Sequence, residues 1–249
     1  MTQTHTDDKF LGGKLLIRQP VTGFRSGSDA VLLASLVPGE GACKILDVGC
    51  GTGVVSLCLA HRLQNAVVTG VDCQEEMIAY AQESAETNGL GNRAQFILED
   101  VVAPSGALEP QSFDHVISNP PYFKDSTESG DKARAVSRSY RGASLEAWLG
   151  FCLKMLKPRG FLYFVYPAAS LQELMQMLGT SVGGMEVYPL WPNADTPEAK
   201  RFLIKARKGV ASPSKLCKGL VLHESDGTYT EAARKILWDG CGFEETCNG

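Results

Sequence analysis

Lys44-Ile45-Leu46-Asp47-Val48-Gly49-Cys50-Gly51-Thr52-Gly53, followed at once by Val54-Val55-Ser56-Leu57-Cys58-Leu59-Ala60, decides the fold. Lys44–Val48 reads as a buried strand, the three alternating glycines as a turn, and the apolar run behind them as a helix. Glycine permits positive φ and leaves room for a ligand to approach the backbone. A strand, a glycine-rich turn and a helix in that order form the nucleotide-site unit of doubly wound α/β sheets. Ala66-Val67-Val68-Thr69-Gly70-Val71-Asp72 is a second strand ending in an acid. Asp72 lies about 20 residues past the loop, where a carboxylate accepts hydrogen bonds from ribose hydroxyls.

Two details favour S-adenosylmethionine over a dinucleotide as the ligand. The spacing of Gly49, Gly51 and Gly53 is Gly-x-Gly-x-Gly rather than Gly-x-Gly-x-x-Gly, and Asp47 precedes the first glycine by two residues. A carboxylate there suits an ammonium group and would repel a pyrophosphate. The alternative for Asp47 is a strand-end carboxylate that caps the loop.

Downstream, Ser118-Asn119-Pro120-Pro121-Tyr122-Phe123 follows the strand-like run His115-Val116-Ile117. The exocyclic nitrogen of an adenine or a carboxamide is a poor nucleophile, because its lone pair is delocalised. The Asn119 side-chain carbonyl and the Pro120 backbone carbonyl can each accept one N–H and hold that nitrogen in a reactive geometry. Tyr122 or Phe123 offers a ring for stacking. Proline fixes φ and restricts the residue before it, so Asn119 is held extended. Catalytic roles therefore fall to Asn119, Pro120 and Tyr122; an ordinary Pro-Pro turn is the bland alternative.

At 249 residues and 44% hydrophobic composition, the chain can bury one large α/β core. No apolar run reaches the ~18–20 residues that span a bilayer, and the polar Met1–Lys9 stretch has no signal-peptide core. Eight cysteines include no C-x-x-C pair, so neither zinc nor a disulfide framework is expected. A reduced cytoplasmic protein, with no membrane and no metal, is the expectation. Three segments follow: 1–40, a strand pair and helix covering the cofactor site; 41–208, the core; and 209–249, a tail packed on it.

From Gly41 to about Lys208 the chain resembles class I S-adenosylmethionine-dependent methyltransferases. Ala94-Gln95-Phe96-Ile97-Leu98-Glu99 supplies the third strand, running into Asp100-Val101, and the Asn-Pro-Pro-Tyr motif ends the fourth. Gly160–Tyr166 is the fifth, after the break Lys157-Pro158-Arg159-Gly160, and Glu186–Leu190 and Arg201–Ala206 close the sheet. The resemblance implies a doubly wound, seven-stranded, mostly parallel sheet. It implies that Asp100 meets the cofactor's adenine amino group, with Cys73, Val101 and Asn119 in the same pocket. It also implies an amino-nitrogen acceptor in adenine, guanine or glutamine.

The two ends of the chain narrow the resemblance. Gln19-Pro20, Gly23-Phe24-Arg25 and Ser28-Asp29-Ala30-Val31-Leu32-Leu33-Ala34 are similar to the opening of bacterial valine-tRNA adenine-N6 methyltransferases, and Leu220–Ala233 to their tail. That family modifies the adenine 3′ of the anticodon, which implies tRNA as the partner. Arg25 and Asp29 then help close the cofactor pocket, and Ser28 or Asp29 is the expected helix cap. The tail reads as a strand, an Asp-Gly turn and a helix capped near Thr228 or Thr230. His223 and Glu224 belong to that structural tail, since methyl transfer to a positioned amine needs no strong base. The departure from the family pattern is Ala135–Tyr140.

The formal net charge of −4 opposes nucleic-acid binding only on average; patches decide phosphate contact. Lys132, Arg134, Arg138 and Arg141 follow the catalytic motif and, with Phe123, are the expected RNA contacts. Seven basic residues from Lys200 to Lys218 are equally well solvated surface charge. Competing readings are a protein-glutamine N5-methyltransferase, a ribosomal RNA guanine-N2 enzyme, an NAD-dependent oxidoreductase and a non-catalytic RNA-binding module.

Overall fold

The polar amino terminus is itself a strand. In the computed structural model, which describes residues 4–39, 41–121 and 143–247, β1 (His5–Phe10) pairs antiparallel with β2 (Leu15–Pro20). The strand pair expected within residues 1–40 thus takes in part of the polar Met1–Lys9 stretch. Its polar side chains are used in place of an apolar stripe: Asp7 takes the Arg18 guanidinium at 2.9 Å, and Asp8 accepts from Gln19 Nε2 at 2.6 Å and pairs with Arg25.

Helix α1 (Ser28–Ser35) follows. Its N-cap is Gly27, with no side-chain cap bond; Ser28 and Asp29 already lie inside the first turn. Then come β3 (Cys43–Val48), α2 (Val54–Arg62), β4 (Ala66–Asp72), α3 (Glu75–Thr87), β5 (Ala94–Leu98) and β6 (Phe113–Ser118). Beyond residue 142 the chain forms α4 (Leu145–Met155), β7 (Leu156–Pro167), α5 (Leu171–Leu178), β8 (Val182–Asn193) and β9 (Arg201–Lys208). The tail adds β10 (Lys215–Leu216), β11 (Leu220–His223), α6 (Glu231–Arg234), a π-helical turn (Lys235–Asp239) and α7 (Phe243–Cys247).

The main sheet runs β5-β4-β3-β6-β7-β9-β8, with β10 and β11 parallel along the outer edge of β8. Among the described residues these two short strands make nine where seven were expected, and β9 alone is antiparallel to its neighbours. Parallel strands covered on both faces are apolar throughout, and successive side chains enter opposite cores. Along β7, Tyr163 and Val165 join the core under α1 and α2, while Leu162, Phe164 and Tyr166 join the one under α4 and α5. The expected break at Lys157–Gly160 is a bulge inside β7, where the pairing with β6 slips between Phe113 and His115 and Arg159 has φ 64°.

The doubly wound order brings the carboxyl ends of β3, β4 and β6 together. Val48 stands opposite Val71 on one side and Ser118 on the other. The glycine-rich turn and the Asn-Pro-Pro segment thus leave adjacent strands at the same edge, the usual ligand edge of an open α/β sheet.

Candidate functional site

The glycine-rich turn is held from below. Gly49, Gly51 and Gly53 have φ of 72°, 53° and 81°, a region that L side chains rarely adopt. Their surroundings differ. A Cβ on Gly49 would lie 2.6 Å from the Trp148 ring, and one on Gly53 2.9 Å from the Phe96 ring. A Cβ on Gly51 would meet nothing within 4 Å. Two glycines are therefore demanded by packing, and the third leaves open space beside the backbone.

Asp47 is buried beneath this turn, its Oδ2 accepting from Ser56 Oγ at 2.7 Å and Ser56 N at 3.2 Å. Burial pushes its carboxyl up to about 7, against the lowering effect of the Ser56 bonds. The contacts shown for Asp47 are those of the strand-end carboxylate that braces the loop. Asp72 is also buried; its Oδ2 accepts from Gly51 N and its Oδ1 from Gln74 N, each at 3.0 Å.

Beside it lies a cleft lined by Gly49, Val71, Asp72, Cys73, Glu99, Asp100, Val101 and Trp148. Five of the residues expected at the cofactor site thus share one cleft: Gly49, Asp72, Cys73, Asp100 and Val101. Asp100 Oδ1 accepts from Val102 N at 2.9 Å, which closes a local turn of the chain. A lining that combines carboxylates with Val71, Val101 and Trp148 suits a ligand with hydroxyls, a planar ring and positive charge.

On the acceptor side, Asn119 is half-buried and Pro120 is buried. Ser118, fully buried, donates from Oγ to Val48 O at 2.7 Å and accepts from Trp148 Nε1 at 2.9 Å. Helix α4 presents Trp148 here; Ser144 caps it by accepting from Ala147 N at 3.1 Å, a bond worth about 1 kcal/mol. Tyr122, Phe123, Lys132, Arg134, Arg138 and Arg141 lie outside the described residues.

Sequence reasoning missed Ser118, Trp148 and Glu99. Glu99, 4% exposed, accepts from Asp100 N and Ser105 N and takes Ser105 Oγ at 2.7 Å, fixing the turn that carries Asp100. A serine before the motif and a lone tryptophan in a helix carry no signal by themselves. Only the fold shows that they meet.

Arg25 and Asp29 are not among the residues that line this cleft. Arg25 donates to Pro20 O at 2.9 Å and pairs with Asp8, while Asp29 pairs with Arg201 at 2.9 Å. The amino-terminal segment reaches the glycine turn by another residue: Thr52 Oγ1 donates to the buried Gln19 Oε1 at 3.4 Å. The second basic run is largely occupied within the fold. Arg201 holds Asp29, Lys205 holds Glu244 and Glu186, Arg207 lies over the Phe161 ring, and Lys208 donates to Leu153 O and Leu156 O at the end of α4. Among the described residues no helix is long and apolar enough to cross a membrane, and no group of three or more His, Cys, Asp or Glu can hold a metal ion.

Comparison with known proteins bears on the fold. A methyltransferase-domain family model matches residues 40–206. A tRNA1(Val) (adenine(37)-N6)-methyltransferase of Pedobacter heparinus is 27% identical over 90% of this chain and 93% of its own. One of the same name from Glaesserella parasuis is 29% identical over 66% and 68%. The crystal structure of a predicted O-methyltransferase from Agrobacterium tumefaciens superposes with a TM-score of 0.71 at 28% identity, covering 85% of this chain and 96% of that one. With the family match running from before β3 into β9 and covering well over half of the chain, the chain belongs to the methyltransferase-domain family.

Proposed function

We propose that this protein transfers a methyl group from S-adenosylmethionine to the N6 of an adenine in tRNA, with the adenine 3′ of the anticodon of a valine tRNA as its target. The observation that carries the reading is Asn119, half-buried before the buried Pro120, at the end of a strand whose neighbour ends in the glycine-rich turn. S-adenosylmethionine supplies an electrophilic sulfonium methyl when bound. The open face of Gly51 and the residues of the adjacent cleft fit it: Asp72 for the ribose hydroxyls, Asp100 for the adenine amino group, Val101 and Trp148 for the ring.

The chain's own part is positioning. The Asn119 carbonyl and the Pro120 carbonyl each accept one N–H of the target amine, which favours a pyramidal and more nucleophilic nitrogen. Tyr122 supplies the stacking face. An adenine in a single-stranded loop is turned out at lower cost than one in a duplex. Two acceptors suit an amine with two N–H groups, whereas a hydroxyl acceptor needs only one. Asp47 supports the site from beneath, through Ser56 and the turn. Residues 1–40 cover the cofactor site, 41–208 form the core, and 209–249 pack on it as a tail. Two relatives that carry a tRNA adenine-N6 name support the choice of nucleic acid, and a tRNA substrate supports a cytoplasmic location. Lys132, Arg134, Arg138 and Arg141 supply phosphate contacts.

The test is transfer of labelled methyl to unmodified tRNA, with nucleoside analysis, and calorimetry with S-adenosylmethionine against NAD. N6-methyladenosine and binding of S-adenosylmethionine alone are expected. Label on guanine N2, on a ribose oxygen or on protein glutamine, or binding of NAD in its place, overturns the proposal.

A further inference from the structure

We infer that the buried Ser118–Trp148 hydrogen bond is a positioning element that fixes Asn119 relative to the glycine-rich turn, so that the two halves of the site keep one spacing. This rests on the reading that Asn119 holds the acceptor amine. Ser118 is the residue before Asn119, and Val48 is the residue before Gly49. One hydroxyl joins them: Ser118 Oγ donates to Val48 O at 2.7 Å while accepting from Trp148 Nε1 at 2.9 Å. The same indole fills the space that a Cβ on Gly49 would need, with Cζ2 and Cη2 at 2.6 and 2.8 Å from that position. Trp148 therefore touches the donor turn with its ring and the acceptor strand with its N–H.

The chemistry of the residue types supports a role beyond filling space. Ser118 is fully buried, and a methyl group alone would serve packing there without the cost of burying a hydroxyl. Trp148 is fully buried too, and a phenyl ring would serve the core without needing a partner for an N–H. The indole N–H and the hydroxyl meet each other here, and the hydroxyl carries the link on to the end of β3. The backbone that carries the indole is held in the first turn of α4, where Trp148 N donates to Ser144 O at 3.0 Å. Displacements well under an ångström at reacting atoms are costly, because near-attack geometry is narrow.

The experiment compares Ser118→Ala, Trp148→Phe and the double variant in the full-length protein. The readouts are the dissociation constant for S-adenosylmethionine, the thermal midpoint, and single-turnover methyl transfer to unmodified tRNA with both ligands saturating. A positioning role predicts that each single variant slows transfer roughly tenfold. Ser118→Ala is expected to keep its S-adenosylmethionine dissociation constant within about twofold, and the double variant to be no slower than the slower single one. Transfer within twofold of the unaltered protein in Ser118→Ala, whatever the thermal midpoint does, overturns the inference. Multiplying losses in the double variant overturn it as well. Asn119→Ala is run in parallel: a slow Asn119→Ala beside a fast Ser118→Ala sinks the positioning role alone, while a fast Asn119→Ala sinks the acceptor reading and this inference with it.

Discussion

The ends of β3 and β6 lie side by side at the same edge of the sheet, yet they are made rigid in different ways. The turn after β3 is held by packing and burial: Asp47 braces Ser56, Asp72 holds Gly51, and Trp148 and Phe96 press against Gly49 and Gly53. The segment after β6 is held by covalent constraint, with two consecutive prolines behind a half-buried asparagine. A packed turn is expected to fail through stability and ligand affinity, whereas a covalently constrained one can lose a functional group and stay folded. The difference teaches that neighbouring parts of one site need not share a failure mode.

The sharpest way to break this contrast is Asn119→Ala. It should cut single-turnover methyl transfer by roughly 10²–10³-fold while S-adenosylmethionine affinity stays within about twofold. A drop in thermal midpoint and affinity matching the drop in rate would erase the distinction. Next comes Gly49→Ala, whose Cβ meets the Trp148 ring at 2.6 Å on a backbone with φ 72°. It should cost about 2–3 kcal/mol of unfolding free energy, measurable by urea titration. Gly51→Ala has the positive φ without the clash, so it should cost only about 1 kcal/mol and instead weaken S-adenosylmethionine, as calorimetry will show.

Titration separates the two strands more gently, and with opposite signs. Asp47 in β3 is raised by burial to about 7, so its contribution is complete below the unfolded value near 3.8 and is lost as pH rises through about 7. Relative to the unaltered protein, Asp47→Asn should therefore gain stability from pH 4 to 7 and level off above. His115 in β6 is lowered by burial to about 4; it sits 3.2 Å from Tyr163 Oη and stacks on Phe161. Its contribution is complete above the unfolded value near 6.5 and is lost as pH falls towards 4, so His115→Gln should flatten that limb of the curve. Urea titrations at pH 5, 6, 7 and 8 read both slopes. The smallest effect lies outside both regions. Thr230 caps α6 by accepting from Ala233 N at 3.1 Å, and Thr230→Ala should cost about 1 kcal/mol without changing the rate of transfer.

Much of the architecture was legible because its signals are local. A strand run ending in alternating glycines, a second strand ending in Asp72, and two prolines after Asn119 each state a backbone requirement within a few residues. The cleft residues Gly49, Asp72, Cys73, Asp100 and Val101 were named from such cues and from the family resemblance. What was misread lacked a local cue. β1 is polar and stands as a strand because Arg18, Gln19 and Arg25 meet its acids from β2 and the loop beyond. The capping role expected of Ser28 or Asp29 is absent, because Asp29 instead meets Arg201, far along the chain.

The sequence by itself determined the alternation of strands and helices, the glycine-rich turn and the constrained asparagine, because periodicity and backbone restriction act over a few residues. Tertiary structure alone decided that Ser118 and Trp148 would join the end of β6 to the turn after β3, that Glu99 would hold Asp100 in place, and that Gln19 rather than Arg25 would reach the glycine turn. Those are contacts between buried polar groups on separate elements. Their partners are chosen by which groups the sheet and helices bring within about 3 Å of one another once water is excluded, a choice that no stretch of chain states in advance.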